Sequence, residues 1–144
     1  MVNSKGQMED EITKAMILWE KNYMGRGPTE ARTDIIRNMI IVTLQGVLSL
    51  AEQHLSRQES GMGLIKEMRR RLVEQGRPQL EKIISNIINA KMVSLHTDIS
   101  TRTGERVFVF VKRCGLVKIP ILMPDFVSDR NANVWASCTN PSVA

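Results

Sequence analysis

Cysteine is almost missing from this chain: Cys114 and Cys138 are the only two, and neither belongs to a Cys-x-x-Cys pair. That excludes a disulfide-stapled scaffold and favours free thiols in a reducing compartment over one structural bridge. Histidine is as scarce. His54 and His96 stand far apart, outside any cysteine or histidine cluster of ligand spacing, so no metal centre is expected and no cofactor is implied. Aromatic residues make up 4% of the chain, and none is interleaved with the basic side chains between Lys66 and Arg77 in the way that stacks bases on a nucleic-acid surface. No apolar run reaches the roughly 18–20 residues of a membrane-spanning helix. The opening segment from Met1 to Asp10 lacks the hydrophobic core of a secretory signal, which points to a cytoplasmic protein.

What is present is globular material with an aliphatic bias. The 144 residues are 42% hydrophobic and include nine methionines, enough for a core filled by flexible side chains. The net charge of +5 permits contact with nucleic acid or anionic lipid without demanding it. Residues 1–113 carry that charge, with 18 Lys and Arg against 13 Asp and Glu, while residues 114–144 hold two of each sign. The latter stretch also has three of the five prolines and no sustained periodicity. The chain therefore divides into a domain over 1–113 and an irregular C-terminal extension over 114–144. Within the extension, 116–123 could add a short strand and 131–144 reads as a loosely held tail.

Ser4 and Gln7 have the spacing of a helix capping box. Met8, Ile12, Ala15, Met16, Trp19 and Tyr23 then recur at helical intervals. Glu9, Asp10, Glu11, Lys14, Glu20 and Lys21 are assigned to the surface, with the acids in the first turn. Gly25-Arg26-Gly27-Pro28 ends this helix. Arg32 to Gln45 reads as a hairpin turning at Arg37-Asn38, with Ile35, Ile40, Val42 and Leu44 on one face. The opposite face takes Asp34, Ile36, Met39, Ile41 and Thr43. Leu48 to Arg57 makes a short helix with Leu48, Ala51 and Leu55 inward. Gly61 and Gly63 precede a long helix over 64–89. Its inner positions include Leu64, Ile65, Met68, Val73, Leu80 and Ile84, and Gly76-Arg77-Pro78 predicts a kink or short break.

The segment from Lys91 to Val111 is the second hairpin, two strand-like runs around Thr101-Arg102-Thr103-Gly104. Alternation puts Val93, Leu95, Thr97 and Ile99 on the core side with Phe108 and Phe110. Ser94, His96 and Asp98 fall on the other side with Val107, Val109 and Val111. The expected architecture is α+β: a four-stranded antiparallel sheet from two hairpins, covered on one face by the N-terminal helix and a long kinked central helix.

Three groups of residues invite a functional reading. His96 and Asp98, two apart on one strand face, could orient a general base, but no nucleophile accompanies them. A structural hydrogen-bonding pair is the plainer reading, and no catalytic residue is assigned. Gly25, Arg26, Gly27 and Pro28 look superficially like a phosphate loop, yet they end a helix instead of opening one. Lys66, Arg69, Arg70, Arg71 and Arg77 form a basic helix face, diluted by Glu67 and Glu74. A solvated face is the default there, and an RNA- or anionic-surface-binding patch is the alternative. Glycines 61 and 63 have the wrong spacing for the Gly-x-x-Gly loop of a KH-type RNA module.

Several segments together resemble one bacterial family. They include Lys-Gly-Gln-Met-Glu-Asp-Glu-Ile from Lys5, Tyr-Met-Gly-Arg-Gly-Pro from Tyr23, and Met-Arg-Arg-Arg-Leu-Val-Glu-Gln-Gly-Arg-Pro from Met68. The most distinctive is Leu-His-Thr-Asp-Ile-Ser-Thr-Arg-Thr-Gly-Glu-Arg from Leu95. On these residues the chain resembles the MpsC-like family over 5–112. The resemblance implies a tie to a Na+-translocating, membrane-potential-generating system with an integral-membrane subunit and a large soluble subunit, and it carries over no enzymatic activity. The motif marks Gly25, Arg26, Gly27, Pro28, His96, Thr97, Asp98, Ser100, Thr103, Gly104, Glu105 and Arg106 without giving them a chemical role. The expected protein is thus a non-enzymatic accessory or interaction module with protein partners in that system. It would be cytoplasmic or peripheral at the inner membrane face, without a membrane span. The apolar strip of Ile36, Met39, Ile41, Val107, Val109 and Val111 is hidden either by 116–123 folding back or by a homodimer. The dimer is preferred because the prolines of the extension make it a poor regular cover, and nucleic acid is the lesser partner.

Overall fold

The computed structural model describes residues 3–113. The extension over 114–144, with its suggested strand and tail and both cysteines, lies outside the described residues. Helix α1 runs Lys5–Met24, capped by Ser4, whose hydroxyl accepts from the Gln7 amide while the Gln7 side chain accepts from the Ser4 amide. Gly25 ends it at φ 86°, a left-handed conformation that a glycine adopts without steric cost. Its buried face is Ile12, Met16, Trp19 and Glu20, so Glu20 belongs to the interior and not to the surface. The acids also miss the first turn. Glu9 instead reaches across to accept the Ile35 backbone amide at 2.8 Å.

Strands β1 (Glu30–Ile36) and β2 (Met39–Gln45) pair antiparallel around the expected turn, with Ile36 opposite Met39. Arg37 takes φ 57° there, which the tight turn requires. Helix α2 (Leu50–Leu55) has its own capping box from Ser49 and Glu52. It buries none of its residues: Leu48, just before it, is in the core, whereas Ala51 and Leu55 face solvent. A helix this short buries little by itself, and Leu48 already supplies the anchor.

Helix α3 spans Glu59–Ile88 without interruption. Gly61 and Gly63 lie inside it, and the helix continues through Pro78, so the expected break is absent. Both sides of Pro78 are tied down: Val73 and Gly76 before it and Leu80 and Ile84 after it are all buried. A Cβ on Gly76 would come within 2.8 Å of the Trp19 ring, which marks how closely α3 lies against α1. The inner stripe runs Ile65, Arg69, Val73, Gly76, Leu80, Ile84, leaving Leu64 and Met68 exposed on a neighbouring face.

Strands β3 (Met92–Ile99) and β4 (Arg106–Lys112) complete one antiparallel sheet of order β1-β2-β4-β3. Leu95 opposes Phe110 and Thr97 opposes Phe108, as alternation requires. Between Met92 and Ser94 the register shifts by a bulge, which moves Met92 into the core and leaves Val93 43% exposed. The loop between these strands is longer than the predicted tetrad, but it keeps an even residue count and hence the facing. Every buried strand residue from Thr33 to Phe110 lies on the side against α1 and α3. Ile40, Val42, Leu44, Phe108 and Phe110 pack there against Ile12, Met16, Trp19, Ile65 and Leu80. The architecture is the expected α+β arrangement.

Candidate functional site

Four charged side chains meet in the interior. Arg69 is 4% exposed, on the inner stripe of α3, and was expected on the basic outer face. Its Nε donates to Glu52 Oε1 at 2.8 Å and its Nη2 to Glu52 Oε2 at 2.9 Å, a two-point pairing with the residue that also caps α2. Nη2 further donates to the Val47 carbonyl at 2.9 Å, and Nη1 to Glu20 Oε1 at 3.1 Å. One guanidinium thereby joins α1, α2, α3 and the end of β2.

Arg106, at the start of β4, is 1% exposed because it shares the inward face with Phe108 and Phe110. Its guanidinium carbon lies 4.9 Å from the Phe108 ring centroid. It holds only long contacts with neutral groups: Nε to Thr97 Oγ1 at 3.3 Å and Nη2 to the Arg69 carbonyl at 3.4 Å. Arg106 Nη1, Glu20 Oε2 and Trp19 Nε1 have no hydrogen-bond partner among the described residues. Burial lowers the Arg106 pKa to about 10, with the Glu20 charge opposing the shift. Burial also raises the Glu20 carboxyl, against the pull of Arg106 and Arg69. Burial acts on Glu52 in the same upward sense, but the bonds from Arg69 and Ser49 outweigh it and hold the carboxyl below its ordinary value. The difference follows from hydrogen bonding: Glu52 uses both oxygens and Glu20 only one.

Above this network an open cavity of about 290 Å3 lies between α3 and the β3–β4 hairpin. Its wall includes Lys66, Arg69, Arg70, Thr97, Asp98 and Arg106, with Gly63 and Glu67 at the helix side. The hairpin end that shapes it is rigidly closed. The Ser100 amide donates to the Glu105 carbonyl and the Gly104 amide to the Ser100 carbonyl, both at 2.8 Å. Gly104, at φ 71°, presents its carbonyl to the Val47 amide at 3.2 Å. Thr103 donates its amide to Ser100 Oγ at 3.3 Å and accepts the Glu105 amide on its own hydroxyl at 3.3 Å. The residues marked in this segment are thus mostly turn-builders that set Arg106 in place.

The remaining predicted site residues scatter. His96 is exposed on the opposite sheet face and shares no hydrogen bond with Asp98. Asp98 accepts the Ile99 amide at 2.8 Å and lies 4.0 Å from Lys66. The expected pair is therefore not formed. Gly25, Arg26, Gly27 and Pro28 make the exit from α1 and do not line the cavity, with Arg26 in solvent. On the outer face of α3, Arg70 bonds Glu67 and Glu74, Arg71 bonds Glu67, and Arg77 bonds Glu81. The two arginines hold the Glu67 carboxyl down at about 2. With Arg69 buried, the basic face is a ladder of helix ion pairs. Among the described residues no three His, Cys, Asp or Glu side chains gather as metal ligands.

The family model described as "Na+-translocating membrane potential-generating system (MpsC)" matches residues 4–113. The chain belongs to the MpsC family. That span includes both caps of α1, the buried network and the cavity. Among curated proteins, this MpsC-family chain is 50% identical over 115 residues to "Uncharacterized protein YbcI" of Bacillus subtilis (strain 168), covering 80% of the chain and 92% of the relative. It is 32% identical over 92 residues to "Uncharacterized protein YrhF" of the same strain, covering 63% of the chain and 75% of that relative. No solved structure matches it. Among the described residues, no helix is long and apolar enough to cross a membrane.

Proposed function

We propose that this MpsC-family chain is a non-enzymatic accessory module of a Na+-translocating, membrane-potential-generating system, held at the cytoplasmic membrane face by protein contacts. The observation that carries the reading is the match of residues 4–113 to the MpsC family, and among the described residues one side of the sheet is left uncovered. Ile36, Met39, Ile41, Val107, Val109 and Val111 are brought side by side by the registers Ile36–Met39, Met39–Val111 and Ile41–Val109. Both long helices pack on the other side, and Ile36 is 48% exposed. The non-enzymatic part is supported by the separation of His96 from Asp98 and by the turn-building use of the marked hairpin residues. The ion-pairing of Arg70, Arg71 and Arg77 disfavours the nucleic-acid alternative. Salt should release the protein from native membranes. Affinity capture before that wash should recover the integral-membrane subunit of the transport system. Recovery of the chain only by detergent, or capture without that subunit, would sink the proposal.

The occupant of the apolar side is a second copy of the chain, in a two-fold dimer. Four strands of about seven residues span roughly 400 Å2 at ordinary strand spacings. That is at the limit of what a monomer exposes and about half of a standard interface per partner, so the dimer falls among the small, transient interfaces.

A further inference from the structure

We propose that the cavity between α3 and the β3–β4 hairpin binds a small oxyanion, a phosphate- or carboxylate-bearing metabolite, through Arg106, Lys66 and Thr97. This stands independently of the association proposed above.

The case rests on which donors around the cavity are already used. Arg69 spends its donors on Glu52, Glu20 and the Val47 carbonyl. Arg70 spends its own on Glu67 and Glu74, and Glu67 gives its oxygens to Arg70 and Arg71. What remains is Arg106 Nη1, without a partner on a side chain 1% exposed. The Lys66 ammonium remains as well, since its nearest carboxylate, Asp98 Oδ1, is at 4.0 Å. Thr97 uses its oxygen as acceptor for Arg106 Nε, which leaves its hydroxyl proton available. The wall carries two carboxylates: Glu67 is taken up by Arg70 and Arg71, and Asp98 accepts the Ile99 amide on one oxygen. An excess of donors over acceptors selects a ligand that only accepts, which is the chemistry of an oxyanion. A volume of about 290 Å3 suits a small one. The direct contacts of Arg106 are long and neutral, and the nearby Glu20 carboxylate, whose charge acts on it, makes no hydrogen bond to it. Gly63 adds no side chain to the wall, and even a Cβ there would meet nothing within 4 Å, so the approach is open.

The test is a heteronuclear NMR titration of the full chain with inorganic phosphate, and separately with succinate, at ionic strength held constant with chloride. Saturable shifts confined to the Thr97, Asp98 and Ile99 amides and the Arg106 side chain are expected. Phosphate alone giving them assigns a phosphate-bearing ligand, and succinate alone a carboxylate. Lys66→Glu, at an exposed position that leaves the fold intact, should weaken binding at least tenfold, and Thr97→Val should weaken it in the same sense. No saturable shift with either anion would overturn the site, and would mean that Arg106 is satisfied internally through Glu20. Binding unaffected by Lys66→Glu would overturn it too.

Discussion

Arg69 and Arg70 are neighbours in sequence and opposites in energetic role. Arg69 holds two carboxylates in the interior, so Arg69→Met strands Glu20 and Glu52 and should cost about 3–5 kcal/mol in denaturant unfolding. Arg70→Ala should leave the midpoint unchanged, because its ion pairs lie in solvent. The same network gives stability an unusual dependence on acid. Glu20 has a folded-state pKa above the ordinary 4.5, so the folded protein takes up that proton before the unfolded chain does. Stability should therefore rise as pH falls from the raised value towards 4.5. Glu52 acts in the opposite sense: its depressed pKa contributes stability above 4.5 that is lost as pH falls through the folded value. Thermal melts between pH 4 and pH 8 should peak on the mildly acidic side, and Glu20→Gln should flatten the rise. These residues were half legible in the sequence. Arg69 stands four residues from both Ile65 and Val73, Glu20 four from Met16, and Arg106 two from Phe108, so each position on an inward stripe could be read. Their burial could not be, because it depends on partners as distant as the 49-residue separation of Glu20 and Arg69.

At the level of elements, local chemistry was the reliable guide. Ser4 with Gln7, Gly25 and Arg37-Asn38 fixed three boundaries that the structure bears out. Ser49 and Glu52 carry the same capping signature, but it is inconspicuous in the sequence because no long apolar stripe follows them. Pro78 does not interrupt α3 for a physical reason: its penalty is a few kcal/mol, and packing of α3 on both sides outweighs it. Pro78 is exposed, so Pro78→Ala restores a helix bond without disturbing the core, and should raise stability by about 1–3 kcal/mol in chemical denaturation. Gly76→Ala should go the other way despite alanine's better helix propensity. The new methyl would press on Trp19 at 2.8 Å and force α1 and α3 apart, a loss of about 1–3 kcal/mol. The bulge at Met92–Ser94 had no sequence signal, and it alone reversed the facing of Val93.

For the whole molecule, the decisive asymmetry is a sheet with one side packed and one side apolar and uncovered among the described residues. Val109→Lys places a charge in the middle of the bare side without touching the core. Light scattering across micromolar concentrations should show the wild type moving from monomer towards dimer and Val109→Lys staying monomeric, with thermal stability of the dilute protein preserved. A wild type that stays monomeric throughout would end the dimer proposal. Such an assembly also needs a reason to stop at two. The carboxylate of Glu9 occupies the Ile35 amide on outer strand β1, and the bulge distorts the start of β3 at the opposite border. Neither border offers a straight row of free amides and carbonyls for another strand to join, which is how proteins discourage endless stacking. Helix α1 is therefore a stopper as well as a cover: among the described residues it leaves one apolar surface suited to meeting one neighbour while taking up an edge amide on the route by which sheets grow into fibres.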